Sequence, residues 1–155
     1  MTIRNLTSGD YEAMLELYKE LDRFHIDSRP DCFVEREDVY PRADFEHNLV
    51  MPISLDLGAF DGNCMVGFVS ATLWNESFMV KDVKTVCLDN IYVRPSHRRR
   101  GIAAKLFAQV ERWAREQGAI RLDLYTWDFN QGAIALYREM GMTPQRYVFE
   151  KMLSE

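Results

Sequence analysis

A chain of 155 residues, 47% hydrophobic and 28% charged, suits one domain, residues 1–155, with one sizeable core. No apolar run is long enough to span a bilayer, and no secretory signal, low-complexity segment or internal repeat is visible, so the expectation is a cytoplasmic globule with no membrane partner. The net charge of −5 hides an asymmetry: residues 1–90 carry 8 Lys+Arg against 17 Asp+Glu, whereas residues 91–155 carry 11 against 7, so the two halves favour partners of opposite sign.

Ile3 to Leu6 reads as a short strand, and Thr7-x-x-Asp10 as a capping box that opens a helix with Tyr11, Met14, Leu15, Tyr18 and Leu21 on one face. That helix fades near Asp27. Ser28 to Pro41, with two prolines and many charges, reads as a loop, and Arg42 to Val50 as a second short helix. Ile53 to Phe60 and Met65 to Trp74 form a hairpin about Asp61-Gly62, and the meander continues through Thr85 to Val93.

Pro95 stops that strand. Ile102, Leu106, Val110 and Trp113 then follow helical spacing to Gln117, and Gly118 supplies the C-terminal cap. Ile120 to Trp127 is a further strand. Ala133, Leu136, Tyr137 and Met140 mark a helix ended by Gly141, and Tyr147 to Leu153 reads as a closing strand. Antiparallel strands followed by a β-α-β unit predict an α+β sandwich: a mixed, mostly antiparallel sheet with one parallel pair and covering helices. Cys32, Cys64 and Cys87, odd in number and widely spaced, read as buried reduced thiols, and no metal site is expected.

The segment Leu88 to Leu106, LDNIYVRPSHRRRGIAAKL, turns from a strand through an arginine loop into a helix. Arg98, Arg99 and Arg100 offer guanidinium donors, Gly101 permits close backbone approach, and the first turn of a helix points unpaired N–H groups outward. Cations at a helix N-terminus oppose the dipole, and an anion at the site offsets that cost. Neither a dinucleotide fingerprint nor a P-loop pattern is present, and no basic stripe with interleaved aromatics points to nucleic acid. The plainer alternative is a solvated arginine run.

Val93-x-Pro95, Arg98-x-x-Gly101-x-Ala103 and Asn130-x-x-Ala133-x-x-Leu136-Tyr137-x-x-x-Gly141-Met142 together resemble the acetyl-coenzyme A signature of the GNAT N-acetyltransferase superfamily. The resemblance covers roughly residues 86 to 142 and implies helices on both faces of the sheet, with the strand ending at Val93 splayed from the strand Ile120 to Trp127. It implies acetyl-coenzyme A as co-substrate, with its arm in the gap against Ile91, Tyr92 and Val93. The pyrophosphate would lie on Arg98, Arg99, Arg100, Gly101, Ile102, Ala103 and Ala104, chiefly through backbone amides. Ala103 departs from the family pattern, in which Gly is commoner.

Asn130 and Tyr137, seven residues apart, share a helix face about 10 Å apart along the axis. By resemblance Asn130 contacts the coenzyme arm and Tyr137 protonates the departing thiolate; the plainer readings are an N-cap and a core tyrosine. The reaction is direct attack of a neutral amine on a thioester. By resemblance the Tyr92 N–H meets the oxyanion, an interaction worth on the order of 3 kcal/mol. A carboxylate must take the amine's proton, and Asp89 is the candidate.

Leu88-Asp89-Asn90-Ile91-Tyr92-Val93 is most similar to the spermidine/spermine (diamine) acetyltransferase branch, but Asp89 stands where Glu is usual and Asn90 where Asp is expected. Specificity residues are expected around His25, Asp27, Arg29, Asp31 and Glu35, with Phe24, Phe33, Tyr40, Trp74 and Phe78 as candidate pocket walls. The leading expectation is acetylation of a small-molecule primary amine. The alternatives are protein N-terminal or lysine acetylation and a non-catalytic acyl-coenzyme A sensor. Dimerisation is common in the family, so a homodimer accompanies the reading, although no self-association surface is legible.

Overall fold

The computed structural model describes residues 1–74 and 83–153. The chain divides into two compact units, Met1–Tyr125 and Thr126–Glu155. In the first, strands β1 (Thr2–Asn5), β2 (Ser54–Asp61), β3 (Cys64–Trp74), β4 (Thr85–Val93) and β5 (Arg121–Leu124) lie side by side in chain order. The first three pairings are antiparallel and β4–β5 is parallel, because the 15-residue helix α3 (Ile102–Glu116) carries the chain back across the sheet.

Phe68 and Val69 are adjacent on β3 and both fully buried, which an extended chain achieves only when each sheet face is covered. Helix α1 (Tyr11–Ser28) covers the Phe68 face, where Met14, Leu17, Phe60 and Tyr92 join one core cluster and Tyr18 stacks on Phe68 at 5.8 Å. Helix α2 (Arg42–Val50) extends that layer, with Phe45 fully buried. Leu106, Phe107 and Val110 of α3 are at most 1% exposed, and each such side chain contributes roughly 1.5 to 3 kcal/mol.

The start of α1 follows the sequence closely. Asp10 accepts the Thr7 N–H and hydroxyl, both at 2.8 Å, and a two-pronged ion pair from Arg4, which holds its carboxyl well below the ordinary range. Two elements differ from expectation. Strand β5 stops at Leu124 rather than Trp127, because its partner β4 leaves it after the pairing of Leu88 with Leu124. The second unit holds helix α4 (Gln131–Glu139), but no strand forms over Tyr147 to Leu153: a strand exists only where a neighbour takes its N–H and C=O groups, and none of the described residues pairs with this segment. Cys32 and Cys64 are exposed and only Cys87 is partly buried, a correction to the expected buried thiols.

Candidate active site

The arginine loop forms a concave run of backbone amides. Arg99 takes a left-handed conformation at φ 61°, and Gly101, which caps α3, another at φ 73°, so the intervening peptides curl around one point. The first intrahelical bond of α3 is from the Lys105 N–H to the Gly101 carbonyl at 3.1 Å, which leaves the amides of Ile102, Ala103 and Ala104 without intrahelical acceptors. No acidic residue sits in this first turn. Of the three arginines, Arg98 turns back to donate to the Val93 carbonyl at 2.9 Å and Arg100 to the Ser96 carbonyl at 3.2 Å, so these two brace the loop.

Strand β4 supplies the second component. Asn90 is in register with Ser70 and Leu88 with Ala71, which makes Asp89 an extra, bulged residue. Beyond this bulge β5 no longer pairs with β4, so residues 90–93 keep β3 on one side and, among the described residues, an open edge on the other. The Arg94 N–H donates to the Val66 carbonyl at 2.9 Å, and this bond sets the phase of the ladder: Tyr92 and Asn90 turn their peptide groups onto β3, whereas Ile91 and Val93 turn theirs to the open edge. The Tyr92 carbonyl lies so close to β3 that a β-carbon on Gly67 would meet it at 2.7 Å. The Tyr92 amide is therefore engaged with β3, which corrects the expected oxyanion donor. Its side chain also points to α1, where the hydroxyl donates to Glu20 at 3.0 Å.

The bulge also brings Asp89 and Asn90, which strict alternation would place on opposite faces, into one cavity of about 230 Å³. Tyr18 of α1, Tyr40, Asn48 of α2, and Ser54, Asp56, Ser70 and Thr72 of β2 and β3 complete its polar lining, with no basic side chain among them. The Tyr18 and Tyr40 rings stack at 4.5 Å. Asn90 Nδ2 donates to the Tyr18 hydroxyl at 3.3 Å and to Ser70 at 3.2 Å, and Thr72 donates to Asp89 Oδ2 at 2.7 Å. Burial raises the Asp89 carboxyl above its ordinary range, against the lowering effect of the Thr72 hydroxyl and the Cys87 thiol. Burial and the nearby Asp89 charge raise Asp56 to about 6. Burial beside Asp89 pushes Cys87 up to about 12, so its thiol stays protonated.

In the second unit Asn130 caps α4, its Oδ1 accepting the Ala133 N–H at 3.2 Å, so the capping role read from the sequence is realised. Tyr137 lies two turns further along the same helix, and burial raises its hydroxyl to about 12. Such a hydroxyl is a proton donor at neutral pH.

Of the charged residues expected to set specificity, Asp27 and Glu35 both bond Arg23, which was not among them, and Arg29 bonds Asp31. His25 instead contacts the Leu21 carbonyl at 2.9 Å and the Phe33 ring. Of the proposed aromatic walls only Tyr40 lines the cavity, and Phe78 lies outside the described residues. Sequence reasoning missed Tyr18 as a lining residue and missed Asp56 altogether. The available signal for Asp56 was a carboxylate flanked by Leu55 and Leu57 and followed by the apolar run Gly58 to Phe60.

Comparison with known proteins gives a consistent picture. The family model described as "Acetyltransferase (GNAT) family" matches residues 14–142. The chain is 31% identical over 142 residues to a thialysine N-epsilon-acetyltransferase of Bos taurus, covering 90% of this chain and 82% of that protein. A crystal structure of a mutant BH1408 protein from Bacillus halodurans superposes with TM-score 0.93 at 24% identity, covering 99% of this chain and 100% of that one. The aminoglycoside N-acetyltransferase AAC(6')-Iy in complex with CoA superposes with TM-score 0.75 at 22% identity, with coverage of 99% and 100%. These two likenesses show a shared fold.

Proposed function

The chain belongs to the acetyltransferase (GNAT) family, and from that premise we propose that this N-acetyltransferase moves an acetyl group from acetyl-coenzyme A to a primary amine of a small molecule held beside Asp89. The observation that carries the small-amine reading is the cavity at the β4 bulge. It is acidic, has two carboxylates and no basic group in its lining, and is confined to about 230 Å³. The named acceptors of the relatives, thialysine and aminoglycosides, are also small amines. The family match crosses from one compact unit into the other, which supports one catalytic domain over residues 1–155.

The residues present fit the coenzyme. Free amides at the start of α3 and a left-handed pair at Arg99 and Gly101 suit a diphosphate, and the open edge at Ile91 and Val93 suits an amide-bearing arm. Acetyl-coenzyme A supplies the activated acyl group. Ile102, Ala103 and Ala104 hold the diphosphate end through their N–H groups, with Arg99 adding positive charge. The Ile91 peptide groups and the Val93 N–H bind along the arm, the Val93 carbonyl being held by Arg98, and one of the two N–H groups, in place of that of Tyr92, faces the carbonyl oxygen. Asp89 accepts the proton of the amine directly or through water, Tyr137 holds the proton destined for the thiolate sulfur, and Asn130 orients the arm. No covalent enzyme intermediate is required.

Purified protein with acetyl-coenzyme A, tested against polyamines, basic amino acids, aminoglycosides and peptides while free thiol is followed, should release thiol with small amines. Release with peptides alone would overturn the small-molecule reading. A cytoplasmic location and a homodimer belong to the same reading, and light scattering on the eluting protein reads the assembly.

A further inference from the structure

Asp56 has no role in the chemistry above, yet it is the most exceptional side chain in the cavity. It is a carboxylate on β2, 8% exposed, and its Oδ1 is buried without a hydrogen-bond partner among the described residues. A buried, unpaired carboxylate is costly, and a protein retains one where a cation relieves that cost on binding. The cross-strand register places Asp56 beside Ser70, and Ser70 beside Asn90, so it stands one strand beyond Asp89's neighbours on the same face. All of these residues line the one cavity, and the stacked rings of Tyr18 and Tyr40 add π-faces to its wall.

We propose that Asp56 is a further acceptor-binding residue: together with Asp89 it forms a two-carboxylate seat for the ammonium group of an alkyl amine, and it rejects amines that carry an adjacent carboxylate. This inference rests on the small-amine reading and assigns its specificity. The orphaned Oδ1 accepts an N–H of the cation, and Ser70 and the tyrosine hydroxyls belong to the polar lining around it. A carboxylate next to the amine would meet two like charges with no basic lining residue to offset them. The titratable groups around Asp56 are Asp89 from β4, Tyr18 from α1 and Tyr40 before α2; Arg36 and Asp22 act on Tyr18, and Asp44 acts on Tyr40.

The test is calorimetric titration of n-butylamine, and separately of glycine, into the full-length protein without coenzyme, at pH 7.5 and pH 5. Wild type should bind n-butylamine in preference to glycine and bind it at least tenfold more weakly at pH 5. Asp56→Asn should bind it at least tenfold more weakly at pH 7.5, with acetyl-coenzyme A affinity unchanged. Equal affinity of wild type and Asp56→Asn for n-butylamine, or no saturable binding by wild type, overturns the proposal. Should Asp56→Asn fail to fold, Asp56→Ser is read in the same titration with the same two outcomes. Thiol release with peptides alone would overturn the small-amine reading while leaving the binding result to stand by itself.

Discussion

The Thr72 hydroxyl donates to Asp89 Oδ2 at 2.7 Å across the β3–β4 pair, and this bond anchors the one residue of β4 that has no register partner on β3. It works against burial, which pushes the Asp89 carboxyl above its ordinary range. A general base must be ionised, so the acid limb of kcat/KM should lie above the usual carboxylate pKa. Thr72→Val removes the lowering contact and should move that limb to higher pH. An unmoved limb would show that Asp89 does not control it.

Asp89→Asn should lower kcat on the order of 10²-fold, the lower end of the range for a positioned base. Its rate should keep rising to higher pH than that of wild type, since the amine must then lose its proton to solvent. A profile superimposable on wild type would remove Asp89 as the base.

Tyr137→Phe keeps the ring and deletes the proton. With its hydroxyl raised to about 12, wild-type Tyr137 is neutral across the working range, so the loss should appear in turnover and not in binding. Turnover should fall at least tenfold while calorimetric affinity for acetyl-coenzyme A stays within about twofold. Equal turnover of the two proteins would refute the acid role.

The parts of the fold that were legible are those governed by local chemistry. Asp61-Gly62 marks the β2–β3 turn, with Gly62 at φ 58°, and the spacing of Ile102, Leu106 and Val110 defines α3 because those residues form its buried stripe. The start of α3 at Gly101 was legible for the same reason. The β4 bulge was not: nothing in LDNIYV marks an extra residue, and only the register with β3 shows that Asp89 and Asn90 reach one cavity. The phase of the ladder, which turns Ile91 and Val93 rather than Tyr92 to the open edge, also depends on a partner strand. Asp56 escaped notice because an acidic residue in an alternating strand reads as solvent-facing until the cover of α1 and α2 is known. The closing strand failed from the opposite side, since the aromatic and β-branched run at Tyr147 to Phe149 does not provide a neighbour.

Gly101→Ala separates conformation from contact. A β-carbon there would meet nothing within 4 Å, so the cost is that of a left-handed backbone at φ 73°, about 1 to 2 kcal/mol. If the loop relaxes towards negative φ, the α3 amides lose their common focus. KM for acetyl-coenzyme A should rise several-fold, while n-butylamine binding stays at the wild-type value. Unchanged coenzyme affinity would place the diphosphate elsewhere.

Asp56 leads to a prediction about stability that is independent of turnover. Its carboxyl is raised to about 6 in the folded protein from an ordinary value of 3.8, so between these values the folded state holds more protons than the unfolded chain. Its contribution is then most favourable below about pH 4 and is lost as pH rises through about 6. The shift corresponds to about 3 kcal/mol at neutral pH for this nearly buried group. Asp56→Asn, which carries no charge, should therefore unfold at higher denaturant concentration than wild type at pH 7.5, and the advantage should shrink towards pH 4.5. A saturating alkyl amine should narrow the same gap at pH 7.5, because the bound cation compensates the carboxylate in wild type alone. Denaturation curves for both proteins at the two pH values, with and without n-butylamine, measure each difference, and a gap that ignores both pH and amine would show that Asp56 is not an uncompensated charge.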